Sequence, residues 1–307
     1  MQRDKRVQFD FEAEFLNGGG IQGQGFRLDI DGENVEDHAL ADYIVRDLRL
    51  LMVGTVRILN KTIVDEPHKR GMPAPADASV TADDAKLQTF DLSHVIEDGM
   101  ITYKGLPGPL ICDHLSRVQS RQHYAPGTEF QIGKITMVSN TGTYLDSPFH
   151  RYADGADIAA LELKSLSGLA GLVIRVTGMQ ERAIPREVFV AEDLNGKAVL
   201  VHTGWDRHWR TDRYFEGHPF LSAAAASYLK AAGAALVGID SFNIDDIADL
   251  QRPVHTTLLG AGIPIVEHMR GLDQLPVSGF RFSAVPPKIR GMGTFPVRAY
   301  ATLQQSN

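Results

Sequence analysis

Between residues 65 and 88 the chain loses the means to build a core. The stretch DEPHKRGMPAPADASVTADDAK holds three prolines and mostly small or charged residues. Such a composition buries too little apolar area to offset the ordering of its backbone. One hydrophobic core cannot run through it. The chain is therefore read as two units, residues 1–64 and 89–307, joined by a linker over 65–88.

The first unit reads as a small α+β appendage. Val7-Gln8-Phe9-Asp10-Phe11-Glu12-Ala13-Glu14-Phe15 alternates with period two, the pattern of a half-buried strand. Gly18-Gly19-Gly20 breaks it, and residues 25–30 (GFRLDI) alternate again. Leu40, Tyr43, Ile44, Leu48 and Leu51 form a helical stripe over 37–51. Val56-Arg57-Ile58-Leu59 reads as a third strand, giving β-β-α-β over residues 6–64.

The second unit alternates strands and helices, which predicts an α/β class with a mixed sheet. Residues 171–176 (GLVIRV) and 198–203 (AVLVHT) are strand-like. Ser222 caps a helix that Gly233 stops. Residues 235–239 (ALVGI) end at Asp240, and 263–266 (IPIV) end at Glu267. Carboxylates at strand ends are common site positions in α/β folds, and equally are where chains turn polar.

Composition narrows the function classes. The chain has 38 acidic and 31 basic residues, a net charge of −7, and no basic tract. Nucleic acids and anionic membranes are therefore poor partners, because phosphate affinity comes mostly from Lys and Arg. One cysteine, Cys112, excludes an internal disulfide framework and a Cys-based zinc cluster, and reads as a packed small hydrophobe. The start MQRDKRVQFDFEAEF has no apolar run of the secretory kind. The apolar stretch 223–239 is broken by Lys230 and Gly233, so no bilayer span is expected. A cytoplasmic protein is the expectation. No P-loop, GxGxxG, GxSxG or HExxH motif is present.

Two segments carry chemistry. Residues 139–151 read SNTGTYLDSPFHR. Gly142 and Pro148 interrupt any helix, so a shaped loop is expected to hold Asp146 and His150. A carboxylate and an imidazole on a turn suit metal ligation, proton transfer or a structural pair. Residues 252–268 read RPVHTTLLGAGIPIVEH. Here His255 opens a helix-like stretch, and Glu267 ends an apolar strand, where a carboxylate needs a cation or donors. Asp146, His255 and Glu267 together make a two-oxygen, one-nitrogen set that suits Zn²⁺, Mn²⁺ or Fe²⁺ better than Ca²⁺. Asp240, Asp245 and Asp246 either orient His255 or cap the next helix. His114, His123, His202, His208, His218 and His268 read as surface or core residues. His268 follows Glu267 and is expected on the opposite face of the strand.

From about Phe90 to Ala301 the chain resembles the cyclase family of metal-dependent hydrolases, which includes kynurenine formamidase and isatin hydrolase. The family signature is H-x-G-T-H-x-D-x-P-x-H, and residues 140–150 read N-T-G-T-Y-L-D-S-P-F-H. His255 and Glu267, twelve apart, match the later ligands. Asp91-Leu92-Ser93, Thr203-Gly204-Trp205, Gly238-Ile239-Asp240-Ser241 and Pro287-Lys288-Ile289-Arg290-Gly291 match in order.

The resemblance implies a mixed β-sheet flanked by helices and a homo-oligomer acting on a small molecule. Two signature histidines that are ligands in the family stand here as Asn140 and Tyr144. What the resemblance then implies is one divalent metal ion, zinc or manganese, on Asp146, His255 and Glu267. It implies His150 as general base for a metal-activated water attacking an amide or ester, open or cyclic. Tyr144 and Asn140 become donors to the substrate carbonyl or the water, and Tyr103 and Trp205 become pocket aromatics, with core packing as the other reading of both. A metal-dependent lyase or isomerase, or a non-catalytic small-molecule binder, are the alternatives.

Overall fold

The structure is a computed structural model that describes residues 5–16, 18–30, 34–47, 50, 53–65 and 87–304. It divides into two compact units, Met1–Asp83 and Asp84–Asn307. Most of the expected linker, residues 66–86, lies outside the described residues. Its first residue, Asp65, ends a strand, and its last two, Leu87 and Gln88, begin another.

In the first unit, β1 (Lys5–Phe15), β2 (Gly20–Ile30) and β3 (Val53–Asp65) form an antiparallel sheet in the order β2-β1-β3, with α1 (Asp37–Asp47) connecting β2 to β3. Val7, Phe9, Phe11 and Ala13 alternate onto one face of β1 and bury with Leu40 and Ile44 of α1. Both outer strands are longer than the residue pattern suggests, because ladder pairing carries them past their apolar positions. Gly23 lies on β2 because a Cβ there would come within 2.2 Å of the Phe11 ring.

The second unit is built on a nine-stranded mixed sheet. Its strands are β4 (Leu87–Asp91), β7 (Tyr144–Asp146), β8 (Leu169–Arg175), β10 (Lys197–His202), β12 (Leu236–Ile239), β13 (Ile265–Glu267), β14 (Phe280–Ser283), β15 (Thr294–Pro296) and β16 (Tyr300–Gln304). Between β4 and β7, β5 (Leu110–Leu115), the one-turn helix α2 (Arg117–Ser120) and β6 (Ile132–Thr136) form an exposed hairpin. Cys112 sits there and is exposed. It is not packed in a core, because a two-stranded arm has no inner layer. Between β8 and β12, the short strands β9 (Ala183–Ile184) and β11 (Phe220–Leu221) pair with each other. Two helices complete the unit, α3 (Ala223–Ala231) and α4 (Pro253–Gly260).

The sheet order is β15-β7-β13-β12-β10-β8-β14-β16-β4. Its four central strands, β13, β12, β10 and β8, run parallel, and the outer pairings are antiparallel. Parallel strands are covered on both faces, so β10 and β12 read as unbroken apolar runs. Val199, Val201, Val237 and Ile239 face α3 and α4, whereas Ala198, Leu200, Leu236 and Val266 face a second core with Leu145, Phe280 and Phe282. The Ser222 hydroxyl accepts the Ala225 N–H to cap α3, and Gly233 at φ +76° lets the chain leave the helix. Among the described residues no helix is long and apolar enough to cross a membrane.

Candidate functional site

The segment expected as a loop is a strand. Tyr144-Leu145-Asp146 forms β7, wedged antiparallel between β13 and β15. Period two then puts Tyr144 and Asp146 on one face and sends Leu145 into the core behind. Pro148 opens a 3₁₀ turn that carries His150. A Cβ at Gly293 would meet the His150 backbone at 2.6 Å, so only glycine allows this approach. Its carbonyl accepts the Ser147 N–H at 2.7 Å. Glu267 ends β13, next to β7. His255 lies in the first turn of α4.

These elements bring Asp146, His150 and His255 together: one ligand atom from each lies within 4.8 Å of the others. His255 Nε2 is 3.7 Å from Asp146 Oδ2 and 3.8 Å from Glu267 Oε1. The tautomer of His255 follows from its other nitrogen. Nδ1 is 2.6 Å from Asp245 Oδ2, an acceptor, so Nδ1 carries a proton and Nε2 is the nitrogen that faces the carboxylates and would be free for a cation. Asp245 also accepts the N–H groups of Val254 (2.7 Å) and His255 (3.0 Å). It therefore caps α4 and orients His255 at once, so both readings of this aspartate hold. Asp240 does neither: it accepts donors from Thr203 and Gly204.

One atom decides whether these residues suit a cation. Asp146 Oδ2 is buried and accepts no hydrogen bond. Its sister oxygen accepts the Thr294 hydroxyl. A buried carboxylate oxygen without a donor is costly, and a cation at that point would satisfy it. The charge balance agrees. Burial alone would lower the pKa of His255, but the carboxylates of Asp146, Asp245 and Glu267 around it raise it to about 10. Burial pushes Glu267 up to about 7. Asp146 is raised by burial, but His255, His150 and Thr294 hold it below its ordinary value. Carboxylates gathered around one imidazole favour positive charge at this point, carried by the His255 ring itself or by a cation that takes its Nε2.

His150 is held by a hydroxyl relay. Thr294 gives its proton to Asp146, so its oxygen accepts from His150 Nδ1 at 2.8 Å. The free lone pair of His150 is then on Nε2. The imidazole lines a cavity of about 260 Å³ whose wall also includes Tyr103, Asn140, Arg252, His255 and Glu267. Tyr103 stacks on Phe242 at 4.7 Å.

Trp205 is not on that wall. It is buried with Tyr214 and Phe242, and its indole N–H donates to the Tyr214 carbonyl at 3.0 Å. The tight turn at Gly204, φ +71°, folds it inward. The Tyr144 hydroxyl is also committed elsewhere than expected. It donates to Glu267 Oε2 at 2.8 Å and contacts His268 Nε2 at 3.1 Å. Burial and the carboxylates of Glu267 and Asp146 raise its pKa well above the ordinary phenol, so it stays protonated.

His268 is the main surprise. Strand alternation would send it away from Glu267, but β13 ends at Glu267 and His268 adopts φ +54°. That left-handed step swings the imidazole back beside Tyr144. Burial pulls its pKa down to about 3, so the ring is neutral. Residue pattern alone also passed over Thr294 and Tyr214, which meet the site only through the fold.

The wider relationships fit this geometry. Residues 90–246, about half of the chain, match a family model described as putative cyclase. Kynurenine formamidase of Geobacillus thermodenitrificans is 30% identical over 187 residues, covering 59% of this chain and 84% of that relative. Kynurenine formamidase of Bacillus cereus is 30% identical over 169 residues, 55% of this chain and 78% of the relative. A solved potential metal-dependent hydrolase with cyclase activity superposes with TM-score 0.59 at 25% identity, covering 72% of this chain and all of the other. Isatin hydrolase A from Labrenzia aggregata shares the fold, with TM-score 0.62 at 19% identity over 73% of this chain and 96% of its own. With a family model over about half of its length and relatives aligned over most of theirs, the chain belongs to the cyclase family of metal-dependent hydrolases.

Proposed function

We propose that the protein is a hydrolase that cleaves an amide or ester bond, open or cyclic, of a small carbonyl substrate, using one divalent cation. The observation that carries this is the orphaned Asp146 Oδ2 facing His255 Nε2 beside a cavity. Asp146, His255 and Glu267 would hold the ion, and zinc or manganese fits their donors. When bound, such a cation supplies a Lewis acid for a carbonyl oxygen and lowers the pKa of a water.

The chain's own residues do the rest. His150 Nε2 takes the proton of the attacking water and returns it to the leaving nitrogen or oxygen. Thr294 and Asp146 keep its Nδ1 protonated, so Nε2 remains the base. Asn140 Oδ1 accepts the Ser139 hydroxyl at 3.2 Å, which leaves the amide nitrogen to donate to the substrate carbonyl. Tyr103 and Leu106 offer an apolar wall, and Arg151 and Arg252 favour a substrate with negative charge near the carbonyl.

His150→Ala tests the base. On a panel of formylated anilines, cyclic amides and lactones, turnover should fall about 10²–10⁴-fold, with elemental analysis still finding about one zinc or manganese per chain. Full activity on a substrate that the native protein turns over would remove His150 from this role. Ligand-induced stabilisation by the whole panel with no product would favour a binder over an enzyme.

We also infer an assembly of at least two copies. The hairpin β5–β6 leaves Leu110 57%, Ile111 41%, Ile132 48% and Ile135 49% exposed. An uncovered two-stranded arm with apolar side chains is a poor free surface, and a second copy would bury it. Light scattering should give a dimer or larger for the native chain and a monomer for Ile111→Lys/Ile135→Lys. A monomeric native chain would refute the assembly.

A further inference from the structure

We propose that His268 and Tyr214 are positioning residues for Glu267, acting through the Tyr144 hydroxyl. The inference rests on the cation site proposed above, in which Glu267 is one of the holding groups.

The order of donors carries it. Glu267 is buried, and its Oε2 accepts the Tyr144 hydroxyl at 2.8 Å. A hydroxyl has one proton, so at its second contact, His268 Nε2 at 3.1 Å, the Tyr144 oxygen must accept. His268 therefore carries its ring proton on Nε2. Its Nδ1 is left as an acceptor, and the Tyr214 hydroxyl fills it from 2.9 Å. The chain runs one way, from Tyr214 to His268 to Tyr144 to Glu267. The opposite ring tautomer would turn the Tyr144 proton towards His268 and leave Oε2 of a buried carboxylate without a donor. Tyr214 is thus what selects the tautomer.

The far end of the relay is sealed from solvent: Tyr214 is 1% exposed and His268 0%, and neither lines the cavity, so water cannot replace the Tyr214 donor. The His268 carbonyl accepts the Thr143 hydroxyl at 2.5 Å, which holds the left-handed turn that places the ring. On the other side of the carboxylate, the Ile244 N–H donates to Oε1 at 2.6 Å. These two donors together set the plane of the carboxylate and keep Oε1 3.8 Å from His255 Nε2. Loss of one lets Glu267 rotate out of register with Asp146 and His255.

Zinc affinity of the full-length protein, measured by chelator competition, tests this with Tyr214→Phe, His268→Met and His268→Gln. Tyr214→Phe and His268→Met should bind zinc about 10–100-fold more weakly, the usual effect of losing an outer hydrogen-bond partner. Gln keeps one acceptor and one N–H donor in nearly the volume of Met. It should stay within about threefold of the native chain, a split that packing alone would not produce. Native-like affinity in Tyr214→Phe and His268→Met would overturn the proposal, as would equal weakening by Met and Gln. Should His268→Met not fold, Tyr214→Phe decides alone, since it removes a single oxygen. A native chain that binds no zinc or manganese would instead sink the cation-site reading, and this one with it.

Discussion

Asp146→Asn should empty the site while leaving the fold intact. Thr294 donates to Oδ1, and that bond orients the new amide: its oxygen stays towards Thr294 and its NH₂ replaces Oδ2. The NH₂ then faces His255 Nε2, 3.7 Å from the original oxygen, and can donate to the lone pair a cation would need. One substitution therefore removes a negative charge, removes the orphaned acceptor and blocks the nitrogen donor. The loss in zinc affinity should exceed about a hundredfold, beyond the range for outer hydrogen-bond partners. Content should drop from about one equivalent to near zero by elemental analysis. Thermal stability in chelator should fall modestly, because His255, His150 and Thr294 favour the ionised carboxylate in the native state and the amide forgoes that gain. If Asp146→Asn retained a full equivalent, the cation would have to sit elsewhere. A melting temperature in chelator that rose would mean that these neighbours do not offset the burial of the carboxylate.

How far the residues announced all this depends on the range over which each contact acts. The α3 helix was legible because Ser222 and Gly233 bracket it locally. The central strands were legible because β10 and β12 are apolar on both faces, a pattern contained in four to six residues. β7 was not, because Tyr144-Leu145-Asp146 is short and lies between Gly142 and Pro148. It becomes a strand only because β13 and β15, more than a hundred residues later, close on both its edges. The family likeness supplied Asp146, His150, His255 and Glu267 by register with a signature, and the fold brings the four close together, with His150, His255 and Glu267 on the cavity wall and Asp146 buried behind it. Thr294 stands 148 positions from Asp146 and Tyr214 54 positions from His268, so no local pattern points to either. His268 was misplaced for a local reason: alternation assumes extended backbone, and one residue at φ +54° cancels it.

Asp245 should be the costliest position to lose among the residues that touch no substrate. It is fully buried and serves three donors, the Val254 and His255 N–H groups and His255 Nδ1. Arg252, the residue before α4, gives the helix no side-chain cap, so Asp245 from the preceding loop supplies it. Asp245→Ala orphans two helix N–H groups and leaves His255 without its partner. Loss of a cap costs about 0.5–2 kcal/mol, and breaking a buried charged pair about 3–5 kcal/mol. The two overlap here, so the expected destabilisation is about 3–5 kcal/mol by urea unfolding. Asp245→Asn separates the two duties. Its one acceptor oxygen can keep a helix N–H, but its NH₂ would face His255 Nδ1 and favour the tautomer with the proton on Nε2. The lone pair then points away from Asp146 and Glu267. Asp245→Asn should therefore be less destabilised than Asp245→Ala, by about the 0.5–2 kcal/mol of a cap, yet bind zinc about 10–100-fold more weakly than the native chain, with the change visible as a shift in the His255 ring ¹⁵N resonances. Equal zinc affinity in Asp245→Asn and the native chain would show that the cap is its whole contribution, and that the orientation of His255 is set by packing alone.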